Sequence, residues 1–422
     1  MAVRYLARPP LSLQDSAFRT DAAPAALPLP DKPSLVVLPF VNMSEDPKQD
    51  YFSDGITEDL TTALSQISSL FVIARNSAFT YKGKAVRVQD VGRELGVQYV
   101  LEGSVRRAND QVRITAQLID ATTDAHLWAQ RYDRPLQDIF ALQDEIVQKI
   151  VTTLKLQLTL REQGYLVRKT TDNLEAYDAY LRGLESFNRY TKETNAQARQ
   201  LFEKVIALDP QYAEAYARLS RTLSTEWIMT WSQDPQTLER ALILAQQAAA
   251  LDDSLPGAQE VLSFAYLYKK QHEQAIAAAK RAIALAPNGA EGYADLGFIL
   301  SFAGRPEEAI SLIEKAMRLN PRYPVHYLSF LGMTYGLARR YEEALATLQS
   351  ATLRNPNYPP PHLHLLVSCS ELGRDAEAQA ELAGIRRRNP NVSLKLYRRV
   401  MPFKDPADLE RYLAALRKAG LK

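Results

Sequence analysis

A phosphate-binding loop, a metal cage or a nucleophile beside a base would each leave a recognisable spacing in a chain of this length. A P-loop needs Gly, four residues, then Gly-Lys-Ser/Thr, so that backbone N–H groups cradle the phosphates. Gly83-Lys84 is followed by Ala85 and has Ala78 five residues before Gly83, so the pair reads as a turn. Gly92 and Gly96 lack GxGxxG spacing and read as helix-ending residues. The histidines, at positions 126, 272, 326, 362 and 364, are scattered. His362 and His364 fall two apart on a predicted helix, hence on different faces, a poor arrangement for one metal ion. The lone cysteine, Cys369, permits no intrachain disulfide. It has no obvious base beside it and reads as a small core residue. No Gly-x-Ser-x-Gly elbow occurs. The acidic pairs Glu45-Asp46, Glu58-Asp59 and Asp144-Glu145 read as a loop or solvated helix starts. The expectation is a non-enzyme with no catalytic residue, no cofactor and no metal.

The informative spacing is structural. Ala286-Pro287, Asn320-Pro321, Asn355-Pro356 and Asn389-Pro390 place helix-ending prolines at intervals of 34, 35 and 34 residues. Such a period predicts stacked helical hairpins, which build surfaces for other proteins. In the unit beginning at Ala290, Tyr293, Leu296, Gly297 and Leu300 share a face; after Gly304-Arg305-Pro306, Ala309, Ile313 and Ala316 face back. The next unit repeats this with Leu328, Leu331, Gly332 and Tyr335, then Ala344, Leu348 and Ala351. Small residues sit where the two helices of a hairpin touch, and large ones fill the seam. Looser units lie upstream, one with a predicted insertion, Thr225 to Gln236, containing Trp227 and Trp231. About six units fill residues 161–395, followed by a basic helical tail at 396–422.

The front of the chain alternates strand and helix signals. Residues 1–33 form an N-terminal segment with an Ala/Pro linker, in which Arg4-Tyr5-Leu6 could end a missing domain. Residues 34–160 read as a small mixed α/β domain. Its strands are Ser34–Phe40, Leu70–Ala74, Tyr99–Arg107, Gln111–Asp120 and His126–Tyr132, the third and fourth joined at Asn109-Asp110. Its helices begin at Ser53 or Asp54, cover Val88–Leu95, and run from Ile139 to Leu160. The fold class is α+β, mostly α, a small mixed domain followed by an α-solenoid. Net charge is +2 over 422 residues, so no global field selects nucleic acid or a membrane. Residues 381–422 carry 11 Lys/Arg against 4 Asp/Glu, which reads as cations near helix C-termini or an anionic partner site. No run reaches the roughly 18–20 apolar residues of a spanning helix. The N-terminus lacks an apolar signal region, so a cytoplasmic location is expected.

The helical half, with its period and its Tyr/Leu/Gly, Ala, Ala, Pro skeleton, resembles the tetratricopeptide repeat. The front domain resembles the TolB-like amino-terminal domain of bacterial signalling proteins. The resemblance is carried by Val37-Leu38-Pro39-Phe40, Asn42-Met43-Ser44, Tyr51-Phe52-Ser53-Asp54-Gly55, the segments from Val91 to Val97, Tyr99 to Arg106 and Arg113 to Asp120, and His126-Leu127-Trp128-Ala129. It implies a module that follows a class III adenylate cyclase or winged-helix DNA-binding domain in relatives. Only about 30 residues precede the module here, so no cyclase or DNA-reading residue can be assigned. The resemblance also implies inner-helix positions that grip C-terminal carboxylates in one repeat subgroup. Here they are Glu260, Phe264, Ala294, Phe298, Ser329, Met333, Leu363 and Val367. That set predicts an apolar groove for a protein or peptide, with Phe264, Leu267, Phe298, Met333, Leu363 and Val367 as its candidate residues. The expected role is a non-catalytic signalling module, with no nucleic-acid partner and oligomerisation open. The alternatives are the regulatory part of an adenylate cyclase, or an exported envelope protein.

Overall fold

The computed structural model describes residues 27–44, 46–165 and 171–422. Arg4-Tyr5-Leu6, most of the Ala/Pro linker and Glu45 lie outside the described residues.

The front region comprises β1 (Ser34–Val37), β2 (Val41–Asn42), α1 (Asp50–Ser65), β3 (Phe71–Val72), α2 (Arg75–Phe79), α3 (Val88–Leu95), β4 (Tyr99–Ala108), β5 (Gln111–Asp120), β6 (Ala125–Pro135), α4 (Ile139–Thr153) and α5 (Leu160–Tyr165). The sheet order is β3-β1-β4-β5-β6, with β2 also on β4. The β1–β3, β1–β4 and β2–β4 pairings are parallel, while β4–β5 and β5–β6 are antiparallel. The mixed sheet expected from the sequence is present. The expected strand Ser34–Phe40 ends at Val37, ahead of Pro39, which has no N–H to donate to the ladder, and β2 resumes only at Val41. The helix expected to start at Ser53 or Asp54 starts at Asp50, after a turn that Asp46 caps by accepting from the Lys48 N–H at 2.9 Å. The helix expected to reach Leu160 ends at Thr153, where Lys155 turns left-handed at φ 52°. Gly103 shows why β4 needs a glycine there: a Cβ would lie 2.2 Å from the Thr115 carbonyl oxygen and 2.5 Å from the Phe40 ring.

Six antiparallel hairpins follow: α6 (Leu174–Phe187) with α7 (Lys192–Leu208), α8 (Ala213–Ile228) with α9 (Pro235–Leu251), and α10 (Pro256–Tyr268) with α11 (His272–Leu285). Then come α12 (Ala290–Phe302) with α13 (Pro306–Leu319), α14 (Val325–Leu337) with α15 (Tyr341–Arg354), and α16 (Pro359–Glu371) with α17 (Asp375–Arg388). The short α18 (Leu394–Val400) and α19 (Pro406–Lys418) close the array, with α19 against α16. The expected small-residue seam is observed. A Cβ on Gly297 would lie 2.6 Å from Ile313 Cγ1, and one on Gly332 would lie 2.5 Å from Leu348 Cγ. Ala309, Ala316, Ala344 and Ala351 are fully buried. The expected insertion Thr225–Gln236 is helical at both ends: α8 extends to Ile228 with Trp227 buried on it, and α9 begins at Pro235.

The two regions share one core. Leu35, Phe52, Leu60 and Ile146 of the front region pack in the same cluster as Tyr177, Phe202 and Tyr212 of the first hairpins. The loops between hairpins also dock on the front region. Asn288 Nδ2 donates to the Ile67 carbonyl at 2.8 Å, Ser77 Oγ donates to Asn320 Oδ1 at 2.6 Å, and Arg322 pairs with Glu94 at 2.8 Å.

Candidate functional site

The first helix of each hairpin turns a face toward the hollow of the array. On α8 this face carries Arg218 and Arg221, on α10 Glu260 and Phe264, and on α12 Glu291, Asp295 and Phe298. Their spacings of three and four residues put each set on one side of its helix. Arg221 lies 3.8 Å from Asp295 and stacks its guanidinium 4.4 Å above the Phe264 ring. Phe264 stacks on Phe298 at 5.8 Å, and Phe298 meets Phe330 at 4.2 Å. Glu291 pairs with His326 at 3.3 Å and accepts from the Tyr327 hydroxyl at 3.1 Å. Arg218 is drawn to Glu58 of α1 at 3.4 Å, and Arg75 reaches the same carboxylate at 3.0 Å.

These contacts correct the expectation of an apolar trough. Phe264, Leu267, Phe298, Met333, Leu363 and Val367 are all buried, none more than 9% exposed. They pack in one cluster, in which Met333 and Val367 also line a small cavity with Tyr341 and Tyr412. The accessible part of the inner surface is ionic and aromatic, with side-chain exposures of 35% at Glu291 and 22% at Arg221. Tyr190 is 43% exposed, yet burial among surrounding protein still pushes its phenol above the ordinary range. Burial lifts the Asp295 carboxyl well above the ordinary range, against the pull of Arg221. At Glu291 burial acts the same way, but His326, Arg221 and Tyr327 outweigh it and hold the carboxyl below its ordinary value.

The array also closes on itself. Tyr190, after the first helix, meets Tyr358 of the last hairpin at 6.5 Å. Asn389 donates to Thr230 at 3.2 Å, and Arg399 donates to Gln233 at 3.2 Å while lying over Trp227. Phe403 packs on Phe302 at 5.0 Å, and the Lys404 N–H donates to the Phe302 carbonyl at 3.0 Å. The predicted basic tail is therefore a clasp across one edge of the hollow, while the front region covers the loops on another.

Sequence reasoning read Glu58-Asp59 as a solvated helix start, and the structure overturns this. Glu58 holds two arginines, and Asp59 accepts from Tyr177 at 2.5 Å and Gln143 at 2.9 Å, where α1 meets α6. Helical spacing alone could not reveal partners more than a hundred residues away. Burial pushes the Asp59 carboxyl from 3.8 to about 7. Its folded state thus binds a proton that the unfolded chain releases, so its contribution falls as pH rises between those values and levels off above them. Asp59→Asn keeps an acceptor for both donors. It should raise stability at pH 8 by about 2–4 kcal/mol and change it little at pH 4, near the unfolded carboxyl's own value. Thermal unfolding of both proteins at the two pH values checks this.

The remaining candidates do not converge. His362 bonds to Glu381 at 2.7 Å and lies 2.9 Å from the Pro356 carbonyl, whereas His364 meets Tyr412 at 3.0 Å. Cys369 is buried as expected, its thiol pushed up to about 11 by burial. Among the described residues, no three His, Cys, Asp or Glu side chains converge to hold a metal, and no helix is long and apolar enough to cross a membrane.

Tetratricopeptide-repeat family models match residues 258–288, 290–323 and 337–401. A Rhizobium meliloti (strain 1021) protein named "Putative adenylate cyclase 3" is 48% identical over 248 residues, 58% of this chain and 42% of that protein. "Transcriptional regulator HilA" of Salmonella typhimurium (strain LT2) is 24% identical over 164 residues, 39% of this chain and 30% of that protein. The chain thus spans less than half the length of these curated relatives. Among solved structures, a thermophilic tetratricopeptide-repeat protein of Thermus thermophilus is 21% identical, covering 46% of this chain and 98% of its own, with a TM-score of 0.38. With their 34-residue spacing, small-residue seams and family-model matches, the hairpins of residues 258–323 and 337–401 are tetratricopeptide repeats.

Proposed function

We propose that this chain is a non-catalytic interaction module of a bacterial signalling protein, whose repeats receive a partner polypeptide at the hollow of the array. The observation that carries the reading is the solvent-reached ionic and aromatic surface of Tyr190, Arg221 and Glu291, built on a family of repeats that binds proteins and peptides. We assign the front region to the TolB-like type on its motif string and mixed sheet. Because that region shares its core with the first hairpins, partner binding would strain or relieve contacts such as Asp59–Tyr177 and transmit the event to an attached output domain.

A second reading is favoured by the 48% identity to the protein named as an adenylate cyclase. In it, this chain is the regulatory part of such an enzyme, and the residues that make cyclic AMP lie elsewhere. One experiment tests both. The purified intact chain should form no cyclic AMP from ATP and should retain a partner that binds again when both components are pure. Arg221→Glu, which reverses a charge in the hollow, should change the affinity of that complex at least about tenfold while thermal unfolding stays cooperative. Cyclic AMP formed by the chain unaided would overturn the non-catalytic reading. A complex indifferent to Arg221→Glu would remove the hollow as its site.

A further inference from the structure

We propose that the hollow of the array takes a basic side chain of the partner polypeptide, with Asp295 as its counter-ion and Tyr190, Tyr268 and Tyr358 as aromatic walls. The inference rests on the protein-binding reading above and names the chemistry of the residue received.

Asp295 is only 1% exposed, and neither of its carboxylate oxygens accepts a hydrogen bond. Buried carboxylates are ordinarily paired and hydrogen-bonded, so this one stands apart. The nearest cation, Arg221, stays at 3.8 Å because its guanidinium is stacked over Phe264. Arg221 is moreover shared: the charges of Glu260 and Glu291 act on the same group from α10 and α12. Three carboxylates therefore face one guanidinium. Arg218 acts on Glu260 but not on Asp295, being held by Glu58 and by the Tyr180 hydroxyl, each at 3.4 Å. The unpartnered Asp295 carboxyl favours a cationic donor and disfavours the terminal carboxylate that other repeats of this kind grip.

The aromatic residues point the same way. Tyr190 and Tyr358 stand edge to face, 6.5 Å apart, and Arg221 and Glu291 act electrostatically on Tyr358. Ring faces attract ammonium and guanidinium groups, most strongly where water is thinned out. The carboxylates do not converge closely enough to chelate a metal ion. An extended organic cation can bridge that wider separation, with Tyr190, 43% exposed, on its solvent side. Burial lifts the Asp295 carboxyl, and an arriving cation would stabilise its charged form.

The test uses the intact chain and fluorescein-labelled peptide pools of random sequence, alike except for a fixed central residue: Arg, Lys, Leu or Glu. Fluorescence anisotropy should show the Arg and Lys pools binding at least about tenfold tighter than the Leu and Glu pools. Asp295→Asn should bring all pools to the Leu level without lowering the thermal midpoint. Should that variant fail to fold, Tyr190→Ser decides, with an expected loss of about fivefold confined to the Arg and Lys pools. Equal binding of all pools would overturn the inference and leave the protein-binding reading standing. Binding of none would overturn both. Spermidine binding as tightly as the Arg pool would reassign the site to a free polyamine and overturn the polypeptide source.

Discussion

Replacing Ala309 with glutamate should destroy the packing of the fourth hairpin, at a cost on the order of 4–5 kcal/mol. Ala309 is fully buried where α13 crosses α12, and its carbonyl oxygen lies only 3.0 Å from where a Cβ on Gly297 would sit. The fully buried seam leaves no space for four more heavy atoms, the oxygens of a charged carboxylate among them. In an isolated repeat array, damage of this kind would be felt mainly by the neighbouring units. Here it should spread further. The end of α13 leads into Asn320 and Arg322, which dock on Ser77 and Glu94 of the front region. Urea unfolding should therefore show a lower midpoint for the front region as well as for the repeats. Ala309→Ser, nearly the same size, should cost about 1 kcal/mol or less. An unchanged midpoint for Ala309→Glu would mean that the hairpin register is wrong.

What the sequence revealed and what it hid divide along one physical line. The hairpin period was legible because each unit must bury small residues against its own partner helix a fixed distance away, as Gly297 and Ala309 do. The mixed sheet was legible because alternation in Gln111–Asp120 marks a strand wet on one face. Contacts between distant parts leave no period. Asn320 looked like a helix stop, yet its side chain, like that of Asn288, holds the front region in place. Asp59 looked like a solvated first-turn acid, yet it anchors α1 on α6. The inner surface was misjudged for a related reason. Phe264, Phe298 and Met333 are indeed large and apolar, but curvature of the array buries them. Arg221, Glu291 and Tyr190 then become the surface. Only the radius of the superhelix decides which of two adjacent helical positions meets solvent, and that radius is a sum over all hairpins.

Phe403→Asp should open the clasp while leaving every hairpin folded. The closure between the two ends of the array combines unequal contacts. Asn389–Thr230 and Arg399–Gln233 are single hydrogen bonds, each contributing about 1 kcal/mol. Lys404–Glu273 is an exposed ion pair at 2.7 Å and adds little. Phe403 is different in kind: it is 6% exposed, and its ring lies 5.0 Å from Phe302 and 5.4 Å from Tyr412. Removing a buried aromatic side chain costs about 3–5 kcal/mol, more than the polar contacts together. Placing a charge there also makes reclosure unfavourable. Small-angle scattering should then report a larger radius of gyration, and Trp227, which lies beneath Arg399, should shift its fluorescence to the red. Helical content by circular dichroism should stay within error, because α19 still packs on α16, where Ser370 Oγ donates to the Ala415 carbonyl at 2.9 Å. The consequence for function is directional. An opened array admits a partner more readily but loses the Tyr190–Tyr358 contact across the hollow, so association should quicken and dissociation should quicken more. If scattering is unchanged, the closure is imposed by hairpin curvature alone, and the C-terminal segment merely lies against a ring that is already shut.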